Sequence, residues 1–583
     1  MKLFNKILLT AVASVLTLST SSCLDEVYPE NGNFTGEQIK DIDKAGLLAA
    51  IPAYMTDYST DYFWDIGYSA FLLWREEMTA NWPVNKRDYD YFYDYGILEN
   101  IGYSGISYTF WFRYYYQIKK SNIVLAASNL DPESADAYAV GNALGYRAMC
   151  YLDMARMYEY METGVPAMDQ LAESRELKGK TVPIVDQFTT EEQSRHLPRA
   201  PFYELYRFIL TDLDLAEKCL KNTRVANAKN EICLGVIYGL KARFWMELGT
   251  RFDLSPDDLA TTVQNESNSE LEKYNRLGIT TARQCFANAA DYARKAINEG
   301  FTPLSKSQWY DTSTGFNTPN NSWLWCITWN GDNGLIKDSN YDWMSWVSFQ
   351  SPEASYGVCT PAYSGGRMID ADLWTKIADG DWRKLTWIDP DDAGSQQAYD
   401  EKYSSLTSLN YTNWSLVAGY VGFKFRPNGG STSVANVGKA VSVPLMRVEE
   451  MYLIEAEALA RSEGAGAGTS ALESFMKTYR MDSGSTYTCA SSQLEDVIDE
   501  ILTQKRIELW GEGQTMWDYR RMRKEIRRGY PGSNHPSDMM YNSYPGLVAP
   551  WLIMYIPDSV HELNPNVQLN PDASKSLSLW TGQ

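Results

Sequence analysis

Two short stretches hold the residues best suited to gripping a ligand. In the first, Asn81 and Trp82 are followed by Asn85, Arg87 and the tyrosines Tyr89, Tyr91 and Tyr93; in the second, Asn340, Tyr341, Asp342, Trp343, Met344, Ser345 and Trp346 stand together. A ring laid against the apolar face of a sugar, with Asn, Asp or Arg beside it to meet hydroxyl groups, is what such residues can supply. Trp343 and Trp346 share one face if their segment is helical. We therefore expect a ligand-binding surface drawn from Trp82, Tyr89, Tyr91, Asn340, Tyr341, Asp342, Trp343 and Trp346, with some of the three tryptophans as its platform. Taken singly, each ring is more often a core residue, so the expectation rests on the clustering.

Chemistry of other kinds lacks material. Only His196, His535 and His561 occur, widely separated, so neither a histidine triad nor an HExxH zinc site can be assembled. The glycine-rich run at residues 464–468 lacks a preceding strand and reads as a helix terminator. Asp332 with Asn333, and Asp389 with Asp391 and Asp392, offer oxygen ligands without completing an EF-hand. With 74 acidic residues, some carboxylates must lie at glycosidase spacing by chance, and none is marked as a pair. No catalytic residue, metal or cofactor is expected, and the chain reads as a non-enzyme.

The amino terminus bears on location. Lys2 and Lys6 precede an apolar stretch at residues 7–18, which gives way to Ser19, Thr20, Ser21, Ser22 and Cys23, the layout of a secretory signal peptide. The stretch is short for a bilayer, which takes roughly 20 apolar residues. Cys23 after small residues resembles a lipobox, although Thr20 departs from its usual Leu; an acylated Cys23 would tether the protein to outer-membrane lipid. Removing residues 1–22 takes the net charge from −21 to −23, a poor surface for nucleic acid. Seven further cysteines are scattered without CxxC spacing, which points to neither a disulfide framework nor zinc.

The elements that must hold these residues are helical. Apolar periodicity predicts helices over residues 110–130, with Phe112, Tyr115 and Tyr116 on the apolar stripe, and over 136–160, 201–220, 230–251 and 281–299. The alanines Ala287, Ala289, Ala290, Ala293 and Ala296 resemble the second helix of a tetratricopeptide repeat, where small residues let helices approach. Insertions at 161–199 and 252–279 make any such array degenerate. From 301 to 443 helix signals thin out and Trp, Asn, Gly, Ser and Asp dominate, which predicts long loops with a few short strands. Helices resume at Pro444, again over 494–510, and around 516–526. The tail, 530–583, is expected to be extended.

Three blocks carry a resemblance to the SusD/RagB family of surface lipoproteins that hold glycans for a TonB-dependent transporter. The most specific runs from Pro444 through Arg447, Glu449, Glu455 and Glu457 to Ala458. The second runs from Ile501 through Arg506, Glu508 and Glu512 to Arg521, with Gln504 and Gln514 where the family usually has Glu and Arg. The third comprises Ile118 to Asn122, Gly145 to Tyr151, and Gly164 to Pro166; Tyr555, Pro557, Asn564 and Asn570 match the closing segment. The resemblance implies a mainly α, SusD-like fold in which degenerate tetratricopeptide-type helix pairs scaffold a loop-rich lobe with a few short strands. It divides the chain into a signal peptide (1–22), an N-terminal helical region (23–300), a loop-rich ligand lobe (301–443) and a C-terminal region (444–583). It implies a glycan ligand, a SusC-like TonB-dependent transporter as partner, and a surface-exposed, lipid-anchored place on the outer membrane. Capture of peptides or glycoproteins, or a tetratricopeptide-type assembly role, stays open. The motif charges lie in apolar helices, so they are expected to be paired scaffold residues.

Overall fold

The computed structural model describes residues 44–57, 64–84, 90–221, 223, 228–328, 345–353, 358–359, 366–409, 419–430 and 441–582. Helices dominate. We number the principal elements α1 (Lys44–Tyr54), α2 (Ser69–Glu77), α3 (Tyr91–Gly96), α4 (Gly105–Ala126), α5 (Ala137–Tyr158), α6 (Pro166–Ser174), α7 (Phe202–Lys221), α8 (Leu234–Leu254), α9 (Pro256–Asn265), α10 (Ala282–Ile297), β1 (Trp323–Ile327), β2 (Val443–Arg447), α11 (Val448–Glu463), α12 (Ala465–Tyr479), α13 (Leu494–Glu508) and α14 (Met516–Arg521).

The long helices form a succession in which each packs on the next: α4 on α5, α5 on α7, α7 on α8, α8 on α10, α10 on α11 and α11 on α12. Helix α10 shows how sequence sets this up. Thr281 and Gln284 close a capping box at its start, and Cys285, Phe286, Ala289, Ala293 and Ala296 line a buried stripe at three- and four-residue steps. The alanines let neighbours approach, and Gly249 on α8 answers Phe286: a Cβ there would stand 2.7 Å from the ring. Burying a side chain the size of Phe286 contributes about 2 to 3 kcal/mol. A second, smaller apolar cluster, including Leu453, Leu472, Phe475 and Ile501, fills the space between α11, α12 and α13.

Three boundaries differ from the sequence reading. Residues 443–447 form a strand, not the start of a helix; β2 pairs antiparallel with β1, Ile327 facing Val443 and Trp323 facing Arg447. Pro444 has no N–H with which to continue a helix, and a two-stranded ladder tolerates it. Of the glycine run only Gly464 breaks the helix, at φ 112°, and α12 begins at once with Gly466 and Gly468 inside it. Gly468 is needed there because a Cβ would lie 2.4 Å from that of Ala460. The helix expected around 516–526 stops at Arg521, and Arg523 follows at φ 52°. The segment 301–443 holds several short helical turns besides β1. No helix among the described residues is long and apolar enough to cross a membrane.

Candidate functional site

The strand β2 delivers Arg447 into the middle of the molecule, where the motif charges meet. Its guanidinium reaches Glu512 (2.9 Å), Glu449 (2.9 Å) and Glu508 (3.1 Å). Glu508, near the C-terminal end of α13, also binds Arg480 (2.7 Å) and Arg383 (2.9 Å). Arg383 is closed off by Asp381 (2.6 Å), and Lys424 by Glu512 (2.6 Å) and the carbonyls of Glu508 and Trp510. Burial alone would raise the Glu508 carboxyl, but Arg480, Arg447 and Arg383 hold it well below the usual carboxylate range. Burial lowers Lys424 to about 8 despite Glu512. Four cations thus face four carboxylates. Gln504 accepts a hydrogen bond from Arg383 and donates one to Glu500; a Glu in its place would add a fifth negative charge and lose that donor.

The remaining motif charges are structural too. Glu455 pairs with Arg294 of α10, and Glu457 with Arg521 and Arg461. Burial opposes ionisation of Glu457, but Arg521 and Arg461 outweigh it and bring its carboxyl down to about 2. Arg506 donates to Asn81 Oδ1 at 2.6 Å. Asn81 is itself buried, bonded to Thr515 and, through its carbonyl, to the Trp510 indole. These carboxylates are spent on arginines, as befits a scaffold.

Two expected platform residues are not available at the surface. Trp82 is 2% exposed, with the Arg367 guanidinium 4.5 Å above its ring. Trp346 is 3% exposed and meets Phe425 edge-on at 5.5 Å. It opens a short helix (Trp346–Gln350) capped by Ser345 and packed into the core. Both large rings fill space that solvent would otherwise occupy, which corrects their assignment as a stacking surface. Tyr93 is buried and donates to Asp538. Tyr91 is half-buried against Trp64, with ring centroids 6.0 Å apart. Tyr89, Asn340, Tyr341, Asp342, Trp343 and Cys23 lie outside the described residues.

The structure instead displays rings along α4. Its buried side carries Phe110, Tyr114 and Ile118, whereas Tyr108, Phe112 and Tyr116 recur every fourth residue on the outer side. Tyr108 and Tyr116 are 53% and 52% exposed. Ring centroids are 4.5 Å apart for Tyr108 and Phe112, 6.5 Å for Phe112 and Tyr116, and 6.3 Å for Tyr116 and Tyr54 of α1. At 1.5 Å per residue the three α4 rings span about 12 Å. The Lys120 ammonium sits 5.1 Å from the Tyr54 ring. Burial pushes the Tyr54 hydroxyl up to about 12, against the pull of Arg113, so it stays a neutral donor at physiological pH. Towards the start of α4, Trp64 donates to Thr109 and lies over Gly105, where a Cβ would come within 2.1 Å of its ring. Trp64 thus bridges Tyr91 and the first turn of α4, and the exposed Tyr103 precedes that turn. The four-residue spacing was present in the sequence, but periodicity alone cannot say which of two aromatic stripes faces inward, and Phe112 and Tyr116 were read as part of the apolar stripe.

Comparison with known proteins follows the same division. Residues 362–571 match the SusD family model, a stretch that carries β2, α11 to α14 and the ionic centre. A SusD-like carbohydrate-binding protein from Bacteroides vulgatus superposes with a TM-score of 0.63 at 20% identity, over 92% of this chain and 98% of its own. A SusD superfamily protein from Bacteroides thetaiotaomicron gives 0.59 at 15% identity, over 91% and 99%. Another from Parabacteroides distasonis gives 0.59 at 16%, over 92% and 99%. No curated protein matches the sequence. The SusD family model thus falls on the ionic centre, and the chain shares the fold of SusD-like structures over nine-tenths of its length.

Proposed function

We propose that the protein captures glycans at the outer surface of the cell and passes them to a SusC-like TonB-dependent transporter, with an acylated Cys23 holding it to the outer membrane. The observation that carries this reading is the exposed aromatic face of α4, with Tyr54, Tyr108, Phe112 and Tyr116 in ring-to-ring sequence. A contiguous apolar patch on a soluble surface marks a binding site. Rings in a row suit successive sugar units, each ring covering one apolar sugar face while the hydroxyls of Tyr54, Tyr108 and Tyr116 meet sugar hydroxyls. The family and the carbohydrate-binding relative support a sugar over a peptide. Capture without turnover fits carboxylates that are committed to arginines.

The loop residues Tyr89, Asn340, Tyr341, Asp342 and Trp343 remain proposed contacts of the same ligand, and residues 301–443 the proposed lobe that presents them. Affinity electrophoresis through gels containing single polysaccharides tests the reading. The native protein should be retarded by at least one glycan, and Tyr108→Ala with Tyr116→Ala should restore free migration. Equal retardation of native and double variant in every retarding gel would refute the α4 site, and cleavage of the polysaccharide would refute passive capture.

A further inference from the structure

A cleft of about 660 Å³ opens where the segment after α5 meets the C-terminal ends of α8 and α14. It is built from elements separate from the aromatic face, and most charges in its walls are already engaged. Arg251 holds Glu159 through two bonds of 2.8 Å and lies against the Phe202 ring at 3.6 Å. Arg521 is taken by Glu457 and Asp518. The Asp169 carboxylate accepts from the Tyr160 hydroxyl and from the backbone of Thr163 and Gly164.

Two groups are left over. Arg520 is 2% exposed; it donates to the Glu159 carbonyl, yet its Nε has no partner and, among the described residues, no carboxylate lies within ion-pair distance. Glu247 is 8% exposed and accepts no hydrogen bond among the described residues. Burial raises its carboxyl, opposed by Arg156 and Arg520. A buried donor without a partner costs about 1 to 3 kcal/mol, the Glu247 carboxylate is left to whatever fills the cleft, and both residues line it. A ligand that carries hydroxyl groups suits this pair of residues, since a hydroxyl can donate to the Glu247 carboxylate and accept from the cleft-lining Arg520 guanidinium.

The rim selects against an anion. Glu162, Glu173 and Glu176 are exposed around the mouth, and Lys178 and Arg523 are the cations that offset them. Leu254, Met161 and Pro166 supply an apolar wall. The volume falls within the ~300 to 1,000 Å³ range of small-molecule sites. We infer that this cleft is a second binding site, taking an uncharged mono- or disaccharide through Arg520 and Glu247. The inference rests on the cleft's own chemistry and not on the α4 face.

The test is ligand-observed saturation-transfer NMR on the purified full-length chain with maltose, cellobiose, xylobiose and mannobiose at millimolar concentration, and with glucuronate and inorganic phosphate as charged probes. At least one neutral disaccharide should bind, persist in the Tyr108→Ala, Tyr116→Ala variant, and weaken at least tenfold in Glu247→Gln. Leu254→Trp, a substitution at the exposed rim that fills the cleft without touching either buried group, should do the same if Glu247→Gln perturbs folding. Binding of none of the four neutral sugars, preference for glucuronate or phosphate, or undiminished binding in Leu254→Trp would each overturn the inference. Loss of binding in the α4 variant alone would place the sugar on the aromatic face and also overturn it.

Discussion

The ionic centre around Glu508 and the aromatic face of α4 are built from opposite materials and answer to opposite constraints. In the centre every charge is dehydrated, so each residue is fixed by its partners: Arg447 needs three carboxylates, Glu508 three arginines. On α4 the rings touch one another and water, and a Tyr, Phe or Trp in any order would keep the helix intact. The family pattern therefore marks the first region and is silent on the second. A motif match in this fold reports how the body is held together, while the proposed ligand face is free to vary with its ligand.

The sharpest way to break the comparison is Glu508→Ala. It would leave Arg383, Arg447 and Arg480 converging on an empty space, and breaking a buried pair costs about 3 to 5 kcal/mol. Denaturant unfolding should show a loss of at least that size; a midpoint equal to the native one would sink the scaffold reading. Acid comes next. Glu457 is depressed to about 2 from an ordinary value near 4.5, so its pairing contributes stability that is complete above pH 4.5 and is lost as the pH falls towards 2. The contribution at neutral pH is about 3 kcal/mol, and Glu457→Gln should remove that part of the acid transition.

Glu76 runs the other way. Burial raises it to about 7, with Gly513 N–H, Gly511 N–H and Lys424 opposing. The folded protein then holds a proton between pH 4.5 and 7 that the unfolded chain has released, and stability falls as the pH rises through that window. Glu76→Gln keeps the acceptor for Gly513 and should flatten the fall, with a gain of up to about 2 kcal/mol above pH 7; a steeper fall would contradict the sign. The smallest effect is expected from Tyr108→Ala, whose half-exposed ring should change the unfolding free energy by less than about 1 kcal/mol.

Much of this architecture was legible in the residues. The alanine stripe of α10 and the apolar steps of α5, α7 and α8 gave the helices, because burial of one face imposes a period that survives in the sequence. The paired scaffold charges were legible as well, since a Glu in the apolar stretch of α13 has to find an arginine. What escaped was decided by tertiary context. Pro444 to Met446 read as the start of a helix because nothing local reveals that β1 waits 116 residues before Val443. Trp82 and Trp346 looked displayed among polar neighbours, yet Arg367 and Phe425, distant in sequence, cover them. The two stripes of α4 are equally aromatic, and only the partners α1 and α5 determine which is covered.

Calorimetric titration of whichever polysaccharide retards the native protein, into the native chain and into the Tyr108→Ala, Tyr116→Ala variant, tests the central claim most directly when an unfolding curve is recorded for each. The account predicts at least a tenfold weaker affinity with the unfolding midpoint nearly unmoved. An unchanged affinity in a folded double variant would contradict it.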